Sequence, residues 1–226
     1  MPEADQKFLA LLPALGAYRS LLCLKGILPG RTFFSHFNLP IIAADGAYNL
    51  LLEKGIVADV AIGDCDSIRA PIAPQTRKIV AENQDFSDFQ KALKFVRENR
   101  LSPPIILGIN GGYIDHILSN VAIFSRTDAV AYMPPNVAMV VRDRLALRLP
   151  LATKLSLFAV PFGRVTTRGL RWELENRELH FPEYNSCFNR TVAEQVAFEV
   201  AEGAIFLVIY LENIADAGSE GIELIH

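Results

Sequence analysis

Cysteine is scarce in this chain. Cys23, Cys65 and Cys187 are the only 3 among 226 residues, odd in number, far apart and without a C-x-x-C spacing. That pattern excludes a disulfide framework or a cysteine zinc site and points to reduced thiols in a cytoplasmic protein. Charge imbalance is also small: the formal net charge is -3 and no basic stripe occurs, so neither nucleic acid nor an anionic membrane is an expected partner. Long apolar runs are missing. The longest stretch without Asp, Glu, Lys or Arg is residues 101–114, 14 positions broken by Pro103, Pro104 and three glycines, too short to cross a bilayer as a helix. Glu3 and Asp5 stand where a secretory signal would carry basic residues, and the sequon at Asn189 is read as coincidence. Tryptophan occurs once, at Trp172. What the chain does have is apolar content: 51% hydrophobic residues against 21% charged, enough to bury a real core.

The expected fold class is α/β: an N-terminal, mostly parallel sheet with flanking helices, followed by a C-terminal all-β, sandwich-like domain. In the first part, residues 20–24, 40–44, 59–62, 78–81 and 105–109 are short apolar runs closed by Gly or polar residues, and read as buried strands. Residues 47–54, 87–99 and 113–125 read as helices. Phe89, Ala92, Leu93 and Val96 share one face of the second, and Ile114, Ile117, Leu118 and Val121 one face of the third. Strands alternating with helices predict a parallel sheet covered on both sides. After about residue 128 the runs 129–133, 137–142, 145–149, 155–160, 164–168, 170–174, 177–181, 196–200 and 205–211 are short and β-rich, separated mostly by Pro, Gly or Asn. The expected domains are 1–145, the α/β part, and 146–226, the β-sandwich part.

The chemistry-bearing residues sit at the ends of the predicted strands. Asp45-Gly46 follows the run 40–44, Gly63-Asp64-Cys65-Asp66 follows 59–62, Gln84-Asp85-Phe86-Ser87-Asp88 lies beyond 78–81, and Asn110-Gly111-Gly112 with Asp115-His116 follows 105–109. In open parallel sheets ligands collect outside the carboxyl ends of the strands, and grouped carboxylates there suit a hard divalent cation set against phosphate oxygens. Plainer readings exist for each cluster. Asp85 or Ser87 can cap a helix and Asp88 can complement its dipole. Asp64 and Asp66 can face water, Gly111-Gly112 can be a tight turn, His116 can lie on a helix surface, and Trp172 can belong to a core.

Taken in order, Ala44-Asp45-Gly46, Gly63-Asp64-Cys65-Asp66-Ser67-Ile68, Gln84-Asp85-Phe86-Ser87-Asp88-Phe89, Gly111-Gly112-Tyr113-Ile114-Asp115-His116, Gly169-Leu170-Arg171-Trp172 and Ser186-Cys187-Phe188-Asn189 resemble the motifs of the thiamin pyrophosphokinase family. The resemblance covers roughly residues 40 to 210. It implies transfer of a pyrophosphoryl group from ATP, as co-substrate, to thiamin, with Mg²⁺ as cofactor and AMP as the second product. It implies Asp64, Asp66 and Asp88 as the metal-binding and catalytic carboxylates, with Asp45 beside the substrates as a candidate fourth ligand. It places Gly111, Gly112 and Asp115 near the nucleotide, and Gln84, Asp85 and Ser87 at the substrates. It further implies a homodimer whose shared site takes Trp172, Ser186 and Asn189 from the partner's β domain. Four departures stand out: Tyr113 where the family usually has Arg, Ala47 for a second Gly after Asp45, Gln84 for a common Lys, and no short polar-glycine stretch after Asn189. Two other readings stay open here, a non-catalytic thiamin or thiamin diphosphate binder of the same fold, and a metal-dependent phosphotransferase or hydrolase with another acceptor.

Overall fold

A computed structural model describes residues 1–213; residues 214–226, the end of the expected second domain, lie outside the described residues. The chain divides into two compact units, Ala17–Pro134 with Met1, and Pro2–Gly16 with the chain from Pro135 onward. The opening helix α1 (Glu3–Leu15) was not expected from the sequence. It buries Phe8, Leu11 and Ala14 and packs by the short turn Leu211–Asn213 of the second unit.

The first unit is a six-stranded parallel sheet. Its strands are β1 (Ser20–Cys23), β2 (Ile41–Ala44), β3 (Val60–Gly63), β4 (Arg77–Val80), β5 (Pro104–Leu107) and β6 (Val130–Met133), in the order β6-β5-β1-β2-β3-β4. The helices α2 (Arg31–Phe34), α3 (Ala47–Glu53), α4 (Asp88–Glu98) and α5 (Ile114–Phe124) lie between strands in sequence. β1, β3 and β5 are buried at every residue, as unbroken apolar runs in a sheet covered on both faces require. β4 corrects one expectation. It is the sheet edge, with Arg77, Lys78 and Val80 exposed, and charged side chains on an edge discourage pairing with another chain. Between β1 and β5 the strand order reverses, because the chain builds outward to β4 and then returns to the other side of β1. Ligand crevices in such sheets open at this reversal.

The second unit is antiparallel. β7 (Asn136–Val141), β8 (Arg144–Arg148), β9 (Lys154–Arg168), β10 (Arg177–His180), β11 (Ser186–Arg190) and β12 (Gln195–Tyr210) are organised by the two long strands β9 and β12, which pair with each other. One half of β12 also pairs with β8 and the other with β7; β9 is flanked likewise by β11 and β10. The register shifts between Val200 and Ile205, where Gly203 has φ +72° and a Cβ would stand 2.2 Å from the Phe162 carbonyl oxygen. The sequence pattern predicts strand ends at such Gly and Pro residues; instead they form a bulge that bends continuous strands. Because β7 and β8 pair with β12, residues 135–145 fall in the second unit, whereas the expected boundary lay at 145/146. Residues 129–133 fall within the expected first domain, where β6 pairs parallel with β5. Residues 170–174 form no strand beyond a single bridge from Leu170 to Thr191.

Candidate active site

Three carboxylates meet at the carboxyl ends of β2 and β3. Ligand oxygens of Asp45, Asp64 and Asp66 all lie within 4.8 Å of one another. Two of the turns that bring them together use left-handed backbone, with φ +44° at Asp45 and +63° at Cys65, between the other two acids. Non-glycine residues adopt this region at a cost, and such strain concentrates at functional sites. The loop is held from several sides. The Asp66 N–H donates to Asp64 Oδ1 at 3.3 Å, Gln84 Nε2 donates to Asp64 Oδ2 at 3.2 Å, and Ser67 Oγ donates to Asp66 Oδ1 at 3.2 Å. Asn49 on α3 accepts the Arg69 and Ala70 N–H groups and donates to the Ser67 carbonyl, fixing the backbone just beyond Asp66. The Gln84 bond, then the Asp66 N–H, hold the Asp64 carboxyl below its ordinary pKa.

This set fits a hard cation. Asp45 is 7% exposed, and its Oδ1 is buried with no hydrogen-bond partner among the described residues. An orphan acceptor of this kind needs an unfilled partner to explain it. Carboxylates at such separations repel by about 1 kcal/mol per pair in water and roughly 3 kcal/mol at an effective dielectric of 20. The three grouped side chains all offer oxygen, as Mg²⁺ or Ca²⁺ prefers.

Asp88 lies alongside this trio rather than in it. A Cβ on Gly63 would stand 2.9 Å from the Asp45 Cβ and 3.0 Å from Asp88 Oδ1, so the bare glycine lets both acids close in. Burial pushes the Asp88 carboxyl up, and Lys91 Nζ, 3.1 Å from its Oδ1, pulls it back. Lys91 itself is 8% exposed. Ser87 caps α4: its Oγ accepts the Gln90 N–H while Gln90 Oε1 accepts the Ser87 N–H, a reciprocal capping box. Asp85 is exposed, its N–H bound by Asn83 Oδ1. Ala47, in place of a second glycine, begins α3 fully buried and in ordinary helical backbone.

At the strand-order reversal two loops touch. The Ile27 N–H donates to the Asn110 carbonyl at 2.7 Å, and a Cβ on Gly26 would fall 2.2 Å from that oxygen and 2.3 Å from the Gly108 carbonyl. Gly111 and Gly112 follow with φ +101° and +80°, leading to Tyr113, the N-cap of α5, and Asp115, whose Oδ1 accepts the His116 N–H. Lys25, Gly26, Asn49 and Lys91 were missed in the sequence reading. Lys25-Gly26 stands at the end of the first predicted strand, so the strand-end rule that selected the other clusters applies to it as well.

In the second unit, Asn189 gathers the remaining predicted residues. It is 1% exposed. Its Nδ2 donates to the Trp172 carbonyl at 2.7 Å and to Ser186 Oγ at 3.3 Å, and its Oδ1 accepts the Trp172 N–H at 3.2 Å. The Trp172 ring is not core: it is 53% exposed, with the Arg171 guanidinium carbon 5.1 Å from its centroid.

Comparison with known proteins agrees with this division. The profile of the thiamin pyrophosphokinase catalytic domain matches residues 35–132, and that of the thiamin pyrophosphokinase vitamin B1 binding domain matches residues 146–205. Thiamin pyrophosphokinase 1 of Caenorhabditis elegans is 27% identical over 194 residues, covering 76% of this chain and 79% of the relative. Thiamine pyrophosphokinase of Bacillus subtilis is 22% identical over 207 residues, covering 81% and 93%. The same fold occurs in the crystal structures of the B. subtilis enzyme, at TM-score 0.72 and 19% identity over 85% of this chain and 98% of that one, and of yeast thiamin pyrophosphokinase, at TM-score 0.73 and 18% identity over 90% of each. With both profiles matched in order on the two units that carry the corresponding motifs, the chain belongs to the thiamin pyrophosphokinase family.

Proposed function

We propose that this enzyme transfers the β,γ-pyrophosphoryl group of ATP to the hydroxyethyl oxygen of thiamin, giving thiamin diphosphate and AMP. The observation that carries the reading is the Asp45–Asp64–Asp66 cluster at the carboxyl edge of a parallel sheet. The alcohol oxygen forms a bond to the β-phosphorus, the bond from that phosphorus to the oxygen bridging to the α-phosphorus breaks, and its electron pair leaves with AMP as the alcohol proton is released. Such chemistry depends on alignment and charge neutralisation more than on covalent help from the protein. Asp45, Asp64 and Asp66 would hold Mg²⁺, which when bound neutralises charge on phosphate oxygens. Gly111 and Gly112 leave the backbone before α5 bare, and the N–H groups of a helix start favour phosphate. Asp88, paired with Lys91, flanks the cluster and keeps Gly63 packed between acids. The direct test is AMP release from ATP and Mg²⁺ with and without thiamin. Thiamin-dependent AMP formation is expected; AMP formation indifferent to thiamin would refute the acceptor.

Thiamin is assigned to Gln84, Asp85 and a second copy's Trp172 and Ser186, with that copy's buried Asn189 holding the two in place, making the working form a homodimer. Exposed Ile114 and Leu118 on α5, and exposed Trp172, Phe188 and Val192 in the second unit, support a covered surface in the assembly. Light scattering at micromolar concentration is expected to give twice the 25.0 kDa chain mass, and a monomer would sink the shared site. Three free thiols, with no helix among the described residues long and apolar enough to cross a membrane, support a cytoplasmic setting.

The exposed indole already serves as a platform for Arg171, and the thiazolium cation suits it for the same reason. Thiamin is therefore expected to quench Trp172 emission. Trp172→Ala is expected to lower kcat/KM for thiamin by roughly 5- to 150-fold, about 1–3 kcal/mol, with KM for ATP little changed. Since the ring is half exposed, melting should move little. Loss of both substrates together with stability would return Trp172 to a packing role.

A further inference from the structure

We propose that Lys25 is the side chain through which this protein grips the polyphosphate of its nucleoside triphosphate, an inference that rests on the pyrophosphoryl-transfer reading. A carboxylate cluster alone repels a triphosphate, so the surface around it needs positive charge beyond any bound metal ion. Near the cluster, Lys91 is buried and tied to Asp88, and Tyr113 at the start of α5 is 76% exposed and uncharged. Lys25 is exposed, and among the described residues its ammonium makes no hydrogen bond or ion pair.

Its position is built rather than incidental. The Leu24 N–H donates to the Leu107 carbonyl at 2.8 Å, the Gly26 N–H turns back to the Leu24 carbonyl at 2.8 Å, and the Ile27 N–H reaches the Asn110 carbonyl. Lys25 is thus the central residue of a three-residue turn, at the carboxyl end of β1 where the strand order reverses. From there the side chain lies flat over Gly46. The place a Cβ would take on that glycine is 2.9 Å from Lys25 Cδ, 3.1 Å from Cε and 3.2 Å from Nζ. Gly46 follows Asp45 directly, so the ammonium lies against the residue next to the acid cluster and forms no ion pair with it. A metal ion on the carboxylates and Lys25 next to them would meet the same polyphosphate from two sides. Adenosine and the α-phosphate alone would engage Lys25 far less.

Calorimetric binding of MgATP and of AMP to the full chain tests this, comparing wild type with Lys25→Gln, Lys25→Arg and the control Lys94→Gln, whose lysine pairs with Glu98 on α4. Lys25→Gln is expected to weaken MgATP by about 10-fold or more, the scale of one lost charge-assisted hydrogen bond, and AMP by less than about 2-fold. Lys25→Arg should recover most of the MgATP affinity, and Lys94→Gln should match wild type. Unchanged MgATP affinity in a folded Lys25→Gln protein, or equal losses for MgATP and AMP, would overturn the assignment. A wild type that binds MgATP through Lys25 yet makes no thiamin diphosphate would defeat the reaction reading alone; a wild type that binds no MgATP would defeat both.

Discussion

Asp64→Asn is expected to remove nearly all turnover while leaving the metal-free protein close to wild type in stability. The activity side follows from the cluster: one of three oxygen ligands becomes a neutral amide, and losing about 3–4 kcal/mol of charge stabilisation corresponds to roughly 150- to 900-fold in rate. The stability side balances two effects. Asp45, Asp64 and Asp66 crowd like charges within 4.8 Å, but the hydrogen bonds from Gln84 and the Asp66 N–H favour the ionised Asp64 and are weakened by its neutralisation. Adding Mg²⁺ should raise the melting temperature of wild type by linkage and leave that of Asp64→Asn nearly unmoved. Asp88→Asn separates the two roles, because it strips the buried Lys91 of its partner and should lower stability even without metal. Equal Mg²⁺-induced shifts in wild type and Asp64→Asn would show that the cation binds elsewhere.

Gly26→Ala is expected to be the most damaging small substitution at the site. Its methyl group would stand 2.2 Å and 2.3 Å from two backbone carbonyl oxygens, those of Asn110 and Gly108. Neither is a flexible side chain, so the two loops at the strand-order reversal must part. Overpacking of this kind costs about 2–4 kcal/mol, or a melting shift of roughly 5–15 °C in a chain of this size. Nucleotide binding should fall beyond what the stability loss explains, since Gly111, whose Cβ would touch Ile27, moves with the same contact. Gly30→Ala makes a matched control, because nothing lies within 4 Å of a Cβ there and its φ is ordinary. A Gly26→Ala protein melting with wild type would show that the loops can separate freely.

The parallel half was readable because strands buried on both faces leave unbroken apolar runs, as in residues 105–107, and because α4 shows a clean apolar stripe with a cap at Ser87. The antiparallel half was read in the wrong number of pieces. Local sequence treats Pro161, Gly163 and Gly203 as stops, yet a bulge can absorb all three inside strands that run on through β9 and β12. Trp172 was expected on a strand with charged neighbours; Asn189, 17 residues later, instead pins its backbone in a bend and leaves the ring outside.

What this sequence determined by itself was chemistry and order: acidic residues closing two apolar runs, glycines before a helix, and a motif series that belongs to one family. Which carboxylates meet was decided only by the tertiary structure. Asp45 and Asp64 lie on different loops, and they converge because β2 and β3 pair in parallel, Ala44 beside Ile62, with left-handed turns at Asp45 and Cys65 aiming the acids. Lys25 lies over Gly46 for the same kind of reason, whereas Asp88 meets Lys91 one helical turn on by spacing along the chain alone. Spacing along a chain sets which residue types are available, whereas register, strand order and the absence of a Cβ at Gly46 and Gly63 set which of them come within reach.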